Sequence, residues 1–347
     1  MNQEFFQGMA NSDRTMNGLE MMPKVPSGVS IIATSLFVGE KQAESNWVLE
    51  SRFSWKQNDI ERRTGIKIRY KSEKSSTEMG VIAANHVLES AELNATDIST
   101  LIVCNFIGDY IFPNSATLIS KQIGINKALV FDLHANCAAT SVAMELANNQ
   151  LAQVPIKQHC LVISIGNQSP FVDPSDQNSA PYFSDGASAL ILSNKNTNSG
   201  FINFTNFLST SALDSVRLRH GGSQYRDPNE NVGYYYEHSG LNVWGDTVKN
   251  LPTLVKEIAQ LSFWGLEDID LILFHQASLR LIEYVMGKLK LPMSKTLTNV
   301  AEIGNLAEAS LPSVIHLAWK LNMKKGSKIL FVSVGAGFMY SASSYVV

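Results

Sequence analysis

An α/β protein in which one unit is used twice is the architecture this sequence predicts, and three features predict it. Short, wholly apolar runs alternate with segments of helical period, as buried strands covered by helices on both faces require. The pattern then returns in the same order. Ile98-Ser99-Thr100-Leu101-Ile102-Val103 is echoed by Ile269-Asp270-Leu271-Ile272-Leu273-Phe274, and residues 159–165 by residues 328–334. The spacing is also nearly constant: Leu101 to Leu271 is 170 residues, Cys137 to Asn305 is 168, and Leu161 to Ile329 is 168. One register shared by three landmarks implies a duplicated unit rather than two unrelated domains.

In order along the chain, residues 28–37 form an apolar β-run and residues 76–91 read as a helix. A helix-to-strand linker at 94–97 leads into a short buried strand at 101–105. A helix at 115–124, a strand at 128–133 and a helix at 138–151 follow, then strands at 159–165 and 187–192. In the second half come the strand 269–274, a helix at 279–289, a helix at 309–321 in the place of 138–151, and the strand 328–334. The expected divisions are a flexible leader at 1–27, a first half at 28–198 and a second half at 199–347. The tract 217–236, rich in Gly, Tyr, Asn and charge, reads as an irregular excursion over the surface or the site.

The bulk properties narrow the function classes. The chain has 347 residues, 45% apolar and 17% charged, enough for a large core. A net charge of −3 argues against a broad nucleic-acid footprint. No apolar run approaches the roughly 18 residues that a membrane helix needs. Residues 1–25 lack the hydrophobic segment of a signal peptide. The three cysteines, Cys104, Cys137 and Cys160, are too few and scattered for a disulfide framework or a zinc site, and a reducing cytoplasm is expected. No Gly-rich phosphate loop, HExxH or paired Cys-x-x-Cys occurs, so neither a metal nor a cofactor is expected.

Chemistry concentrates at three positions. Cys137 follows an apolar strand and opens a helix, where N–H groups and the helix dipole favour a thiolate, so its pKa is expected below the usual thiol value. Read alone, it is a small buried hydrophobe, as most free cysteines are. His275 ends an apolar strand, the edge at which open α/β sheets collect ligands. By itself it could be a hydrogen-bonded strand-edge histidine. Asn305 alone reads as a helix cap or turn residue. If the two halves pack about a pseudo-two-fold axis, the Cys137 and Asn305 loops meet there and His275 joins them. The turn Gly335-Ala336-Gly337-Phe338 allows close backbone approach, and its N–H groups could line an oxyanion hole. The order Cys, His, Asn also suits a papain-like protease, but the Cys-Gly-Ser-Cys-Trp type of motif is absent. Arg62-Arg63-Thr64-Gly65-Ile66-Lys67-Ile68-Arg69 reads as a solvated basic face, and Ser184-Asp185-Gly186-Ala187 as a tight turn.

Together, Asp132-Leu133-His134-Ala135-Asn136-Cys137-Ala138, Phe274-His275-Gln276-Ala277-Ser278-Leu279-Arg280, Gly304-Asn305 with Ala309-Ser310-Leu311-Pro312, and Gly335-Ala336-Gly337-Phe338 resemble the β-ketoacyl-ACP synthase III branch of the thiolase-fold condensing enzymes. Arg63-Thr64-Gly65-Ile66, Phe112-Pro113 and Asp185-Gly186-Ala187 support the match. The resemblance spans about residues 28–347. It implies a five-layered αβαβα thiolase fold, a homodimer, and thioesters of CoA or phosphopantetheine as substrates, with an acyl carrier protein as partner. It makes Cys137 the acylated nucleophile, with His275 and Asn305 as the polar pair that holds an enolate. The N–H groups of Cys137 and Ala336 become the oxyanion hole. Arg63 is then expected at a nucleotide phosphate, Phe112 as a gate donated by the partner subunit, and Arg280 at a carrier-protein docking position.

Departures from the family pattern accompany the match. Asp59 stands where a tryptophan that stacks on the CoA adenine is usual, which tilts the donor towards a carrier protein. The usual Gly-Asn-Thr-Ser-Ala-Ala-Ser loop has become Gly304-Asn305-Leu306-Ala307-Glu308-Ala309-Ser310, so Glu308 is a new charge close to the substrate. Ala336 replaces a glycine, and His134 and Asn136 are polar where small or apolar residues are usual. These changes suggest specialised metabolism. The expected reaction is decarboxylative Claisen condensation of an acyl group on Cys137 with a malonyl- or β-ketoacyl-type thioester. Two alternatives stay open: transfer of the same acyl group to an amine, alcohol or carbon nucleophile without decarboxylation, and a non-catalytic partner subunit.

Overall fold

The computed structural model describes residues 24–154, 157–194, 198–223 and 233–347. The expected leader lies outside these residues up to position 23, and the expected excursion does so at 224–232.

Two sheets with the same strand order form the frame. The first comprises β1 (Ser30–Val38), β4 (Ile98–Cys104), β5 (Leu129–Leu133), β6 (His159–Gly166) and β7 (Gly186–Ser193), in the order β1-β7-β6-β4-β5. The second comprises β8 (Gly200–Leu208), β11 (Leu271–Phe274), β12 (Lys328–Gly335) and β13 (Met339–Val346), in the order β8-β13-β12-β11. A parallel bridge from Ile272 to Thr296 stands where the fifth strand would be. Pairing directions agree as well: β4 runs parallel to β6 and β11 parallel to β12, and the two strands beyond them in each sheet pair antiparallel. Two short ribbons, β2 (Lys41–Gln42) with β3 (Tyr70–Lys71) and β9 (Val216–Arg217) with β10 (Glu237–His238), flank the sheets.

The helices complete five layers. α1 (Asn46–Arg52) and α2 (Asp59–Thr64) lie outside the repeat. α3 (Ser76–Ala91) and α4 (Ser115–Ile123) cover the outer face of the first sheet, burying Met79, Val87, Ile119 and Ile163 together. α5 (Ala139–Leu151) and α9 (Ser310–Lys320) lie between the sheets, where Met144, Leu151, Val314 and Ile315 contact both. α6 (Gly240–Leu261) and α7 (Leu279–Leu289) cover the second sheet through Leu254, Ile258, Ile282 and Val285. Every residue of β6 and β7 is buried, because helices lie on both faces. α3 starts at a capping box in which Ser75 and Glu78 satisfy each other's backbone N–H groups. A last helix, α8 (Val300–Ile303), precedes the Asn305 loop.

The halves interlock at the sheet ends. A Cβ on Gly166, at the end of β6, would lie 2.1 Å from the Leu306 carbonyl oxygen of the other half. On Gly335, at the end of β12, it would lie 2.7 Å from the Ala135 oxygen and 3.2 Å from the Cys137 nitrogen. Each sheet therefore ends in a glycine because the opposite half's loop rests on it. Gly166→Ala is expected to cost about 3 kcal/mol, the upper end of overpacking, since the atom met is backbone. Denaturant titration checks this.

Candidate active site

Cys137 sits in the 3-10 turn Asn136–Ala138, between β5 and α5. Asp132 secures the preceding strand by accepting the N–H groups of Ser115 and Ala116 at 2.9 and 2.7 Å. Asn136 has φ 50°, a left-handed conformation that asparagine tolerates, and its Nδ2 donates to the Ala336 carbonyl at 2.9 Å. The nucleophile loop is thus tied to the turn after β12. The backbone N–H groups of Cys137 and Ala336 act to favour the thiolate. They do not prevail. The thiol is pushed up, first by burial and then by the nearby Glu308 carboxylate, which corrects the expectation of a lowered value. Its surface remains partly open.

His275 follows β11 and extends the parallel pairing by donating its N–H to Val332 at 2.8 Å. Its side chain is buried, and Nδ1 has no hydrogen-bond partner. Burial lowers its pKa to about 4, so the ring stays neutral at ordinary pH and can act as a neutral donor. Gln276 braces the strand end by donating to the Phe274 carbonyl and accepting from the Asn299 N–H.

Asn305 follows Gly304, whose φ of 71° lets the chain turn out of α8. Its N–H donates to the Tyr182 carbonyl, and its carbonyl accepts from Ser184, each at 2.9 Å. Oδ1 accepts the Ala307 N–H at 2.9 Å and the Ser310 hydroxyl at 3.0 Å. Because an amide N–H can only donate, these bonds fix which side-chain atom is oxygen and leave Nδ2 as the donor. The turn reading is thus satisfied by Oδ1, while Nδ2 is left as a donor. Asn305 lines a cavity of about 100 Å³ with Arg63, Tyr182, Trp244, Ala277 and Ser278. Thr140 in the first half donates to the Glu308 carbonyl, 168 residues away, at 3.0 Å. The two repeat-related turns thus meet directly.

Glu308 is 1% exposed. Burial pushes its carboxyl up to about 8, and Gln168 Nε2 approaches its Oε2 at 3.4 Å. Arg63 is exposed at the mouth of the Asn305 cavity, 4.2 Å from the Trp55 ring and 3.8 Å from Asp59. Trp55 thus supplies an indole face to Arg63, a contact that sequence reading missed. Arg280 donates to the carbonyls of Glu61 and Arg62 and to Glu283, which ties α7 to α2. Phe112 is 84% exposed beside Tyr110 and Ile111, and is not among the residues lining the groove by Cys137. That groove is bordered by Phe106, His134, Asn136, Leu213, Tyr236 and Ala336.

Two simpler expectations are corrected. Asp185 does not mark a plain tight turn: it is fully buried and accepts from the N–H groups of Ser72, Gln168 and Ser169 and from the Ser169 hydroxyl. Arg69 does not belong to a solvated face. It is 4% exposed, bonded to Asn46 and to the Glu44 and Pro181 carbonyls, and burial lowers it to about 10. Tyr236, stacked on Phe183 at 5.2 Å, is a further site residue that sequence reading missed.

Comparison with known proteins finds relatives that cover most of the chain. Residues 131–209 match the family model described as 3-Oxoacyl-[acyl-carrier-protein (ACP)] synthase III, and residues 260–346 match that for its C-terminal part. Beta-ketoacyl-[acyl-carrier-protein] synthase III of Clostridium perfringens is 29% identical over 300 residues, 85% of this chain and 91% of that protein. The enzyme of the same name from Phocaeicola vulgatus is 27% identical over 300 residues, covering 85% of this chain and 86% of its own. The 3-oxoacyl-[acyl-carrier-protein] synthase III of Aquifex aeolicus superposes with a TM-score of 0.84 at 25% identity, over 92% of this chain and 100% of that one. The priming β-ketosynthase of the R1128 polyketide pathway, 22% identical with a TM-score of 0.84 over 95% and 98%, shares the fold. With two matching domains, a thiolase-type fold and such relatives, the chain belongs among the β-ketoacyl-ACP synthase III-like condensing enzymes, which are acyltransferases.

Proposed function

We propose that Cys137 takes an acyl group from an acyl-CoA or acyl-carrier-protein thioester and that the acyl-enzyme then condenses with a malonyl- or β-ketoacyl-type thioester. The observation that carries this reading is the junction of the Cys137 turn with the turn after β12, where Asn136 Nδ2 donates to the Ala336 carbonyl and Gly335 packs on the Cys137 nitrogen, so that the Cys137 and Ala336 N–H groups lie near the thiol. Two fixed donors there would hold the negative oxygen formed when thiolate attacks a thioester carbonyl. The thioester arm would enter past Arg63 and Trp244, along the cavity that ends at Asn305. Asn305 Nδ2 and the neutral His275 ring would hydrogen-bond the acceptor's thioester carbonyl as a malonyl-type acceptor loses carbon dioxide or a β-ketoacyl-type one its α-proton. The enolate then attacks the acyl carbon, the C–S bond to Cys137 breaks, and a β-keto thioester departs.

In this reading the polar groups His134 and Asn136, together with Tyr236, border the acyl pocket, which supports a specialised acyl group rather than a plain short chain. The exposed tip Tyr110-Ile111-Phe112 supports a homodimer in which a second copy covers it and receives Phe112. Acyl transfer without decarboxylation is the second reading, and the changed loop after Asn305, with Glu308 buried in it, favours it. The test is intact-mass measurement after incubation with a panel of acyl thioesters, followed by a malonyl thioester. An adduct discharged with release of carbon dioxide supports condensation. Discharge only by amines, alcohols or other carbon nucleophiles supports the second reading, and no adduct from any donor overturns both.

A further inference from the structure

His238 lines the cavity that ends at Asn305, together with Tyr182, Phe183, Val243 and Leu281. The ribbon of β9 and β10 sets its backbone, since His238 pairs with Val216. Ring contacts set the place of its side chain. The imidazole lies 6.1 Å from the Tyr182 ring, and Tyr236, just before β10, stacks on Phe183 at 5.2 Å. The same pair holds Asn305: the Tyr182 carbonyl accepts the Asn305 N–H at 2.9 Å, and Phe183 forms a parallel bridge with Asn305. His238 is therefore braced by the segment that positions Asn305.

Among the described residues, neither ring nitrogen of His238 has a hydrogen-bond partner. Nδ1 is fully enclosed, which leaves Nε2 as the nitrogen that can meet a ligand. Burial lowers the pKa of the ring below the usual histidine value, with Asp176 opposing, so the imidazole is neutral at ordinary pH and has one donor and one acceptor nitrogen. The cavity walls around it, Phe183, Val243, Ala277 and Leu281, offer no polar side-chain group. A thioester arm of the phosphopantetheine type carries two amides, and burying either one unpaired is unfavourable. We propose that His238 is a specificity-determining residue for this arm: its Nε2 hydrogen-bonds an arm amide and so selects thioesters that carry one. Either tautomer serves, because an amide presents both a donor and an acceptor. This rests on the reading that the thioester arm lies in the Asn305 cavity.

His238→Phe keeps a ring against Tyr182 and removes both nitrogens, whereas His238→Gln restores a donor and an acceptor. Loading of Cys137 is followed by intact mass from two donors of one acyl group: the S-acyl phosphopantetheine, which has both amides, and the S-ethyl thioester, which has none. In His238→Phe the phosphopantetheine concentration for half-maximal loading rises about 10-fold, the loss of one hydrogen bond. Its maximal rate and the rate with the ethyl thioester do not change, and His238→Gln recovers most of the loss. A merely structural role slows both donors alike and is not rescued by glutamine. That pattern overturns the inference, as does an unmoved half-maximal concentration. If no donor loads the wild-type protein, the acylation reading falls, and calorimetry with phosphopantetheine alone decides the role of His238. Binding about 10-fold weaker in His238→Phe than in wild type supports it, while equal binding, or none to wild type, overturns it.

Discussion

Cys137→Ala is expected to give a folded protein that takes up no acyl group from any thioester, with turnover reduced by on the order of 10⁴-fold or more. The other two thiols offer no substitute. Cys104 and Cys160 are fully buried within the strands β4 and β6, and burial pushes both up, Cys160 to about 12. Alanine leaves unchanged the backbone of this turn, which packs against Gly335. Intact-mass spectra with a matched thermal melt check the result: an adduct of undiminished yield in the variant would move the nucleophile elsewhere.

Asn305→Asp is expected to leave Cys137 acylation near normal and to slow condensation by about 10²–10³-fold, the usual loss for one donor at a developing oxyanion. The aspartate keeps the acceptor that holds Ala307 N–H and Ser310, so the turn survives. It loses the Nδ2 donor and puts a negative charge where the proposed enolate would form. Single-turnover experiments separate the steps, with loading followed by mass and discharge by carbon dioxide release. Equal slowing of both would mean that the variant had disturbed the Cys137 loop rather than the donor.

Much of this arrangement was legible in the sequence. The strands β4, β6, β7 and β12 are short apolar runs, and the helices 76–91 and 279–289 coincide with their observed spans. What was missed has physical causes. β8 reads Gly-Phe-Ile-Asn-Phe-Thr-Asn-Phe-Leu, where asparagines interrupt the apolar run; Asn203 is buried only because it bonds the Leu261 carbonyl. β13 is interrupted by serine: Ser341, Ser343 and Ser344 are three of its eight residues, and all are buried. α6 contains Pro252, which masks a 22-residue helix. At the site, Cys137, His275 and Asn305 stood out because each follows a strand-like run or a glycine turn. Gln168 and Tyr236 did not, and Asp185 read only as a turn residue, because burial and partners 16 to 140 residues distant give them their surroundings.

The crossed glycines Gly166 and Gly335 bear on how this kind of protein changes over generations. Each copy of the ancestral unit braces the other's working loop, so neither could be discarded or borrowed singly without leaving an unsupported turn. Yet the two loops are free to diverge in content, one keeping a thiol and the other an amide and a carboxylate, so long as the braces stay small. New chemistry can therefore be tried by altering one loop while its counterpart preserves the geometry.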